Sequence, residues 1–181
     1  MIFNFNFLYN YLLKNNFQFG NKNVSRDLQG YVLYKTKDHA IIDLKTTVTS
    51  LQKVLLLLLR LRMKNGKVLF IGHPTNNVIN KIIRITAMST NQKFYNFKLQ
   101  DFNYAELSIN LKKMNPDLIV VFSTTISEPI LRMSYNLNLP NVGITDLNSK
   151  SKFLTYFIVG SESSHNLVYA LCKLFITILT K

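Results

Sequence analysis

Tryptophan is absent from this 181-residue chain, and cysteine occurs once, at Cys172. A lone thiol within an apolar C-terminal pattern closes no intrachain disulfide and supplies neither a zinc site nor a redox pair. It reads as a small buried hydrophobe in a protein of an intracellular or organellar compartment. Histidine is scarce too: His39, His73 and His165 are scattered, none at metal-ligand spacing from another His, Cys or carboxylate, so each reads as a surface or turn histidine. No Ser–His–Asp or Cys–His arrangement has a recognisable local context. The expectation is therefore no catalytic residue, no metal, no cofactor and no small-molecule substrate. Long apolar runs are missing. The leucine run from Val54 to Leu59 is far too short to span a bilayer. The opening stretch is interrupted by Asn4, Asn6 and Asn10 and has neither the early cation of a secretory signal nor the arginines of a transit peptide. Alanine is confined to Ala40, Ala87, Ala105 and Ala170, while Asn, Lys, Ile, Phe and Tyr abound. AT-rich codons favour that set, which points to an AT-rich genome such as an organelle's.

Acidic residues are the most telling shortage. Nine Asp and Glu face 22 Lys and Arg, a formal net charge of +13. That excess implies a polyanionic partner, nucleic acid before an anionic membrane surface. With 48% hydrophobic residues the chain can still bury a core, so it is no disordered basic tail. From Leu44 to Gln100 there is no Asp or Glu, while Lys45, Lys53, Arg60, Arg62, Lys64, Lys67, Lys81, Arg84, Lys93 and Lys98 all fall within the span. Solvated helices prefer mixed-sign pairs. A long run of one sign carries a self-repulsion that phosphates relieve. Tyr31, Tyr34, Phe94, Tyr95 and Phe97 are the aromatics available for stacking on bases, although core packing accounts for most of them equally well.

Hydrophobic periodicity organises the rest into one domain spanning residues 1–181, with residues 1–30 as an N-terminal helix and loop extension. Asn6 to Asn15 reads as a short helix with Leu8, Leu12 and Leu13 on one side. A polar loop lies between Gly20 and Gly30. Two short strands, Tyr31–Tyr34 and Ala40–Ile42, flank the charged turn Lys35–Asp38. Asp43 is a helix N-cap. Its helix buries Val48, Leu51, Val54, Leu55 and Leu58, shows Lys53, Arg60 and Lys64 on the opposite face, and stops at Asn65-Gly66. Lys67–Ile71, continuously apolar after its opening lysine, and Leu118–Phe122 read as buried parallel strands. Helices are expected over Thr75–Met88 (with Val78, Ile79, Ile82, Ile83 and Met88 apolar), Ala105–Met114, Glu128–Leu137 and the C-terminus. Further strands are expected over Lys93–Leu99, Val142–Ile144 and Thr155–Val159. In the C-terminal helix Leu167, Val168, Leu171, Phe175 and Ile178 fall on one side, and Ser161 to His165 reads as its N-terminus. Alternating strands and helices predict an α/β fold: a mostly parallel sheet flanked by helices on both faces, flavodoxin-like or Rossmann-like.

One loop could support a different function. Gly72-His-Pro-Thr-Asn-Asn77 follows the first buried strand, where doubly wound folds bind nucleotides. This leaves open a nucleotide- or phosphometabolite-binding Rossmann-like enzyme. No G-x-G-x-x-G and no Gly-Lys-Ser/Thr is present, and Pro74 removes a backbone donor, so a helix-starting turn capped by Thr75 is the simpler expectation. A peripheral membrane protein held by its basic helix is a third reading, weakened because the apolar face of that helix is needed for the core.

Several stretches, in order, carry a family resemblance. They are Leu12-Leu-Lys-Asn-Asn-Phe-Gln-Phe-Gly-Asn21, Gly30-Tyr-Val-Leu-Tyr34 with His39-Ala-Ile-Ile-Asp-Leu-Lys-Thr46, Asn65-Gly-Lys-Val-Leu-Phe-Ile-Gly72, Pro116-Asp-Leu-Ile-Val-Val-Phe122, Glu128, Leu139-Pro-Asn-Val-Gly-Ile-Thr-Asp-Leu-Asn148 and Tyr156-Phe-Ile-Val-Gly160. Together they resemble the universal small-subunit ribosomal protein two family, in the form of a reduced mitochondrial member. The matched positions are Phe19, Gly20, Gly30, Tyr31, Asp43, Lys45, Thr46, Gly66, Gly72, Pro116, Asp117, Glu128, Pro140, Gly143, Asp146, Asn148 and Gly160. The resemblance implies a structural protein of the mitochondrial ribosome, without enzymatic activity, that binds small-subunit rRNA beside neighbouring small-subunit ribosomal proteins. The expected phosphate contacts are Lys22, Arg26, Lys35, Lys37, Lys53, Arg60, Lys64, Lys81 and Arg84. Departures are plain. Gln18 and Asn21 stand where the family has histidines, Ser123 replaces an aspartate, and the family's long helical hairpin has no counterpart between Asn91 and Asn115.

Overall fold

Apolar runs of four or five residues form the centre of the molecule. In the computed structural model, which describes residues 4–97, 103–149 and 152–180, β4 (Val68–Ile71), β6 (Leu118–Val121) and β7 (Asn141–Thr145) are buried at every position. With β5 (Lys93–Tyr95) and β8 (Tyr156–Val159) they make a five-stranded, all-parallel sheet in the order β5-β4-β6-β7-β8. Side chains alternate across such a sheet, so each strand feeds two cores. Val68, Phe70, Leu118, Val120, Val142, Ile144 and Ile158 meet α2 (Leu44–Met63), α3 (Asn77–Ser89) and α6 (His165–Thr180), with α1 (Phe5–Lys14) packed on the same side. Leu69, Ile71, Ile119 and Val121 meet α4 (Tyr104–Met114) and α5 (Glu128–Asn136) on the other side. The expected two helical layers around a parallel sheet are present.

A second, antiparallel sheet was only half expected. β2 (Val32–Lys35) and β3 (Ala40–Ile42) form the hairpin, a third strand, β1 (Phe19–Gly20), immediately precedes the expected loop, and the loop itself runs into a 3-10 turn over Arg26–Tyr31. Two-residue strands carry no periodicity of their own; β1 exists because Phe19 and Gly20 pair with Ile41 and Ala40. Leu28, Ala40, Ile42, Leu147 and Val159 join this sheet to the main one.

Asparagine supplies most helix ends. Asn4, Asn76 and Asn103 cap α1, α3 and α4, and Asp43 caps α2. Among the described residues the five non-glycine residues with positive φ are all asparagines: Asn16, Asn65, Asn91, Asn115 and Asn138. Each follows one of the helices α1 to α5. After α2, the Gly66 N–H donates to the Leu61 carbonyl (2.8 Å) and the Asn65 N–H to the Arg62 carbonyl (3.0 Å). That is the paired closure in which a left-handed residue satisfies the last free carbonyls.

Three expectations about faces and bounds need correction. α3 is capped by Asn76, whose Oδ1 accepts from the Val78 and Ile79 N–H groups at 3.1 Å, and not by Thr75. Leu13, Val78 and Met88 are exposed, at 44%, 57% and 71%. They are apolar in sequence but lie past the edge of the buried stripe, which in α3 runs through Ile79, Ile83, Thr86 and Ala87. β5 ends at Tyr95, short of Leu99, and Lys98 and Leu99 lie outside the described residues.

Candidate nucleic-acid interface

All nine cations expected to meet phosphate are exposed or partly so on the surface. Lys22 lies in the loop after β1, Arg26 opens the 3-10 turn, Lys35 ends β2 and Lys37 sits in the hairpin turn. Lys53 and Arg60 lie along the outer face of α2, with Lys64 at its C-cap. Lys81 and Arg84 project from α3. The fold does not merge these into one cluster, because α6 packs between α2 and α3. It does supply a cation there that sequence reading passed over: Lys173, exposed on α6. Its signal was faint, a single charge in a strongly apolar helix outside the acid-free stretch.

Several acids are engaged in local structure, while Asp27, Asp38 and Glu106 stand exposed. Asp43 Oδ1 accepts from the Lys45 N–H (2.9 Å) and its Oδ2 from the Thr46 hydroxyl (2.6 Å). Asp117 Oδ2 accepts from the Lys67 N–H (2.7 Å), tying the start of β4 to that of β6. Asp146 Oδ1 accepts from the Leu147 and Asn21 N–H groups. Among the described residues the one ion pair is Glu128–Arg132 within α5, at 2.8 Å, exposed on both sides and so worth little to stability. Arg62 is half-buried and donates to the Ile178 carbonyl (3.3 Å), satisfying a free carbonyl at the end of α6. Of the five aromatics weighed as stacking platforms, Phe97 is buried and Tyr31, Phe94 and Tyr95 are packed against the cores. Tyr34, 60% exposed beside Lys35, stands free of them.

The resemblance positions resolve mainly into architecture. Phe19 and Gly20 form β1, and a Cβ on Gly20 would meet the Leu147 side chain at 2.5 Å. Tyr31 packs against Phe157, with ring centroids 5.5 Å apart. Lys45 is exposed in the first turn of α2. Gly66 closes α2, and Gly72 lies under Asn80 and Phe94. Pro116 is buried, the Pro140 carbonyl accepts from Ile119, and Gly143 lies against Leu154 and Thr124. The Gly160 N–H donates to the Thr145 carbonyl. Gly30 has open space around it, and nothing in the structure explains a glycine there.

At the carboxyl ends of β4, β6, β7 and β8 lies a cleft of about 510 Å3, whose lining includes His73, Asn76, Ser123, Asp146, Asn148 and Glu162. Chain connections diverge on either side of β4 and β6, the position at which such sheets hold ligands. Glu162 falls in the expected helix start, yet it is 8% exposed and organises the cleft. Its Oε1 accepts from the Thr124 hydroxyl (2.6 Å) and N–H (3.1 Å), the Ser149 hydroxyl (3.1 Å) and the Asp146 N–H (3.2 Å), and its Oε2 from the Ser123 hydroxyl (2.7 Å). Burial of a lone carboxylate requires such a set of donors. The sequence signal was one acid just after an apolar strand. Burial pushes the Asp146 carboxyl above its ordinary value, with the nearby Glu162 adding to the rise, while the N–H groups of Leu147 and Asn21 oppose it.

His73 is likewise buried, not a surface residue. Its Nδ1 accepts from the Asn76 N–H (3.0 Å) and the Thr75 N–H (3.4 Å). Burial holds its pKa below the ordinary value, helped by His165 and opposed by Glu162. Within the Gly72–Asn77 loop the Gly72 N–H is spent on the Tyr95 carbonyl and those of Thr75 and Asn76 on His73, and just beyond it the Val78 and Ile79 N–H groups are spent on Asn76. With Pro74 lacking an N–H and two carboxylates nearby, this loop is a poor cradle for phosphate. Among the described residues no group of three His, Cys, Asp or Glu side chains is placed to hold a metal ion, and no helix is long and apolar enough to cross a membrane.

The family model described as Ribosomal protein S2 matches residues 12–101. The small ribosomal subunit protein uS2m of Bos taurus is 28% identical over 162 residues, which cover 86% of this chain and 55% of the relative. The protein of the same name from Marchantia polymorpha is 25% identical over 207 positions, covering 90% of this chain and 86% of the relative. The chain therefore spans about half the length of the bovine relative. By these matches the chain is homologous to the ribosomal protein S2 family, mitochondrial uS2m proteins included.

Proposed function

We propose that this chain is a structural, non-enzymatic constituent of the mitochondrial small ribosomal subunit. In this reading it binds small-subunit rRNA and sits among neighbouring small-subunit ribosomal proteins, with no cofactor and no small-molecule substrate. The observation that carries the proposal is the surface charge: nine surface cations on α2, α3, the N-terminal loop and the hairpin, none in an ion pair among the described residues. Phosphates are the counter-charges such a surface lacks. Homology to uS2m proteins of two mitochondria-bearing lineages supports the compartment. The finer architecture belongs to the same proposal. Numbered within the parallel sheet, the strand order is the 2-1-3-4-5 of flavodoxin-like folds. The family's helical hairpin has been lost: β5 ends at Tyr95 and α4 begins at Tyr104, and the 207 positions aligned with the Marchantia relative exceed the 181 residues of this chain.

The test is sedimentation of the tagged chain from mitochondrial lysate at about 0.15 M salt. Co-migration with small subunits, with rRNA fragments cross-linked to α2 and the hairpin, is the expected result. A chain that runs free of the subunit at that salt contradicts the proposal.

A further inference from the structure

The cleft at the carboxyl ends of the parallel strands is not part of the phosphate-facing surface, yet it has unused hydrogen-bonding capacity. Asp146 Oδ2 and His73 Nε2 take no hydrogen bond from any described residue, and Glu162 Oε2 has only the Ser123 hydroxyl. Because His73 Nδ1 accepts two backbone N–H groups, its proton sits on Nε2, so the cleft offers one fixed donor besides two carboxylate acceptors. An occupant that engages all three groups presents two N–H donors and one acceptor along one edge. A free phosphate is repelled by the carboxylates. A guanidinium or ammonium group has donors only and offers the imidazole N–H no acceptor, and each edge of adenine sets one amino N–H beside a ring acceptor that would face a carboxylate. Guanine matches, with N1–H and the 2-amino group as donors and O6 as acceptor. A volume of about 510 Å3 admits a base. The surroundings supply the rest of a nucleotide site. The Asn21 N–H donates to Asp146 Oδ1 (3.4 Å) and the Ser25 N–H to the Leu147 carbonyl (2.7 Å). Each of those backbone atoms is one residue from a surface cation, Lys22 and Arg26 respectively.

The geometry points to this cleft as the receptor for an unstacked guanine carried on an RNA strand, with the base held by Asp146, Glu162 and His73 and the flanking phosphates met by Lys22 and Arg26. The inference rests on the RNA-binding reading above and adds base selectivity to it, since phosphate contacts position a strand and base contacts specify it.

The test measures fluorescence anisotropy of the full chain with labelled strands of about ten uridines, unmodified or carrying one central guanosine or one central adenosine, at about 0.15 M salt. The guanosine strand is expected to bind about tenfold tighter than either other strand, the discrimination typical of a paired base contact. Asp146→Asn keeps an oxygen for the Leu147 and Asn21 N–H groups and brings the guanosine-to-adenosine ratio towards one. Lys53→Gln weakens all three strands and keeps the ratio. Equal, salt-sensitive affinity for the three strands overturns the guanine site while leaving the phosphate-binding reading standing. No binding to any strand overturns both. Guanosine 5′-monophosphate is expected to compete weakly, lacking the flanking phosphates; if it binds as tightly as the strand, the RNA-borne base is the wrong source. The ratio on the unaltered chain decides the matter even if Asp146→Asn fails to fold.

Discussion

Asparagine does at the helix ends of this protein what glycine does in most others. A left-handed backbone costs an L-residue about 1 kcal/mol relative to glycine, and asparagine less than most. Asn16, Asn65, Asn91, Asn115 and Asn138 each accept that cost after a helix. Asn65→Gly should therefore raise stability by up to about 1 kcal/mol, offset in part by the greater freedom of glycine in the unfolded chain. Asn65→Val should lower it by more, since a β-branched residue tolerates positive φ poorly. Chemical denaturation of the two variants against the unaltered chain measures both signs. His73 makes a second prediction at this scale. Its folded pKa lies below its unfolded one, so between the two values the folded state binds fewer protons. Stability from this residue is complete above the ordinary histidine value of about 6.5 and is lost as pH falls through the folded value. Protonation would also place a hydrogen on Nδ1, where the Thr75 and Asn76 N–H groups now donate. The thermal midpoint should fall between neutral and mildly acid pH, and less so in His73→Asn, whose side-chain oxygen can accept without titrating. An equal fall in both proteins would assign the effect elsewhere.

At the scale of elements, α2 shows how much a periodic sequence reveals. Its cap at Asp43, its buried stripe from Val48 to Leu58, its stop at Asn65-Gly66 and its outer cations were all readable, because a twenty-residue helix repeats its pattern over several turns. β1 and the 3-10 turn were not, since they hold together through partners distant in sequence. The Thr75 cap was a near miss: Thr and Asn are both good caps, and only the hydrogen bonds of His73 decide which residue closes the turn. Of the candidate RNA-facing surface, the cations were legible as a count and a span. The cleft was hidden, because Glu162, His73 and Asp146 lie far apart in the chain and meet only at the strand ends. The α2 stripe carries its own prediction. Replacing Lys53, Arg60 and Lys64 together by Gln removes three candidate phosphate partners from one helix. The slope of log affinity for duplex RNA against log salt should become shallower by about two to three, at about 0.9 for each phosphate no longer neutralised. Helix content by circular dichroism should stay the same, because all three side chains point away from the core. An unchanged slope would place the RNA on another face.

For the molecule as a whole, charge and core oppose each other. The two faces of one sheet are packed with aliphatic and aromatic side chains, as in any stable α/β domain. The chain carries 22 Lys and Arg against nine acids, and at least four of those acids are engaged in local structure. Repulsion among the remaining cations is strongest where screening is weakest, so the free protein should be least stable in dilute buffer. Cys172 provides a way to observe this. It lies in α6, 1% exposed, and burial pushes its thiol up to about 12, with Thr86 on α3 opposing the shift by a hydrogen bond. Only the thiolate reacts readily with disulfide reagents, so labelling at neutral pH reports opening of the packing between α3 and α6. The labelling rate should fall as salt rises from about 0.01 to 0.15 M, where the Debye length shrinks from about 30 to 8 Å. RNA added at constant ionic strength should slow it further, because a bound polyanion neutralises the surface locally where salt only screens it. A rate indifferent to salt would mean that the surplus charge costs this fold nothing, and a rate that falls with salt but ignores RNA would mean that phosphates are not the counter-charges its surface was built to meet.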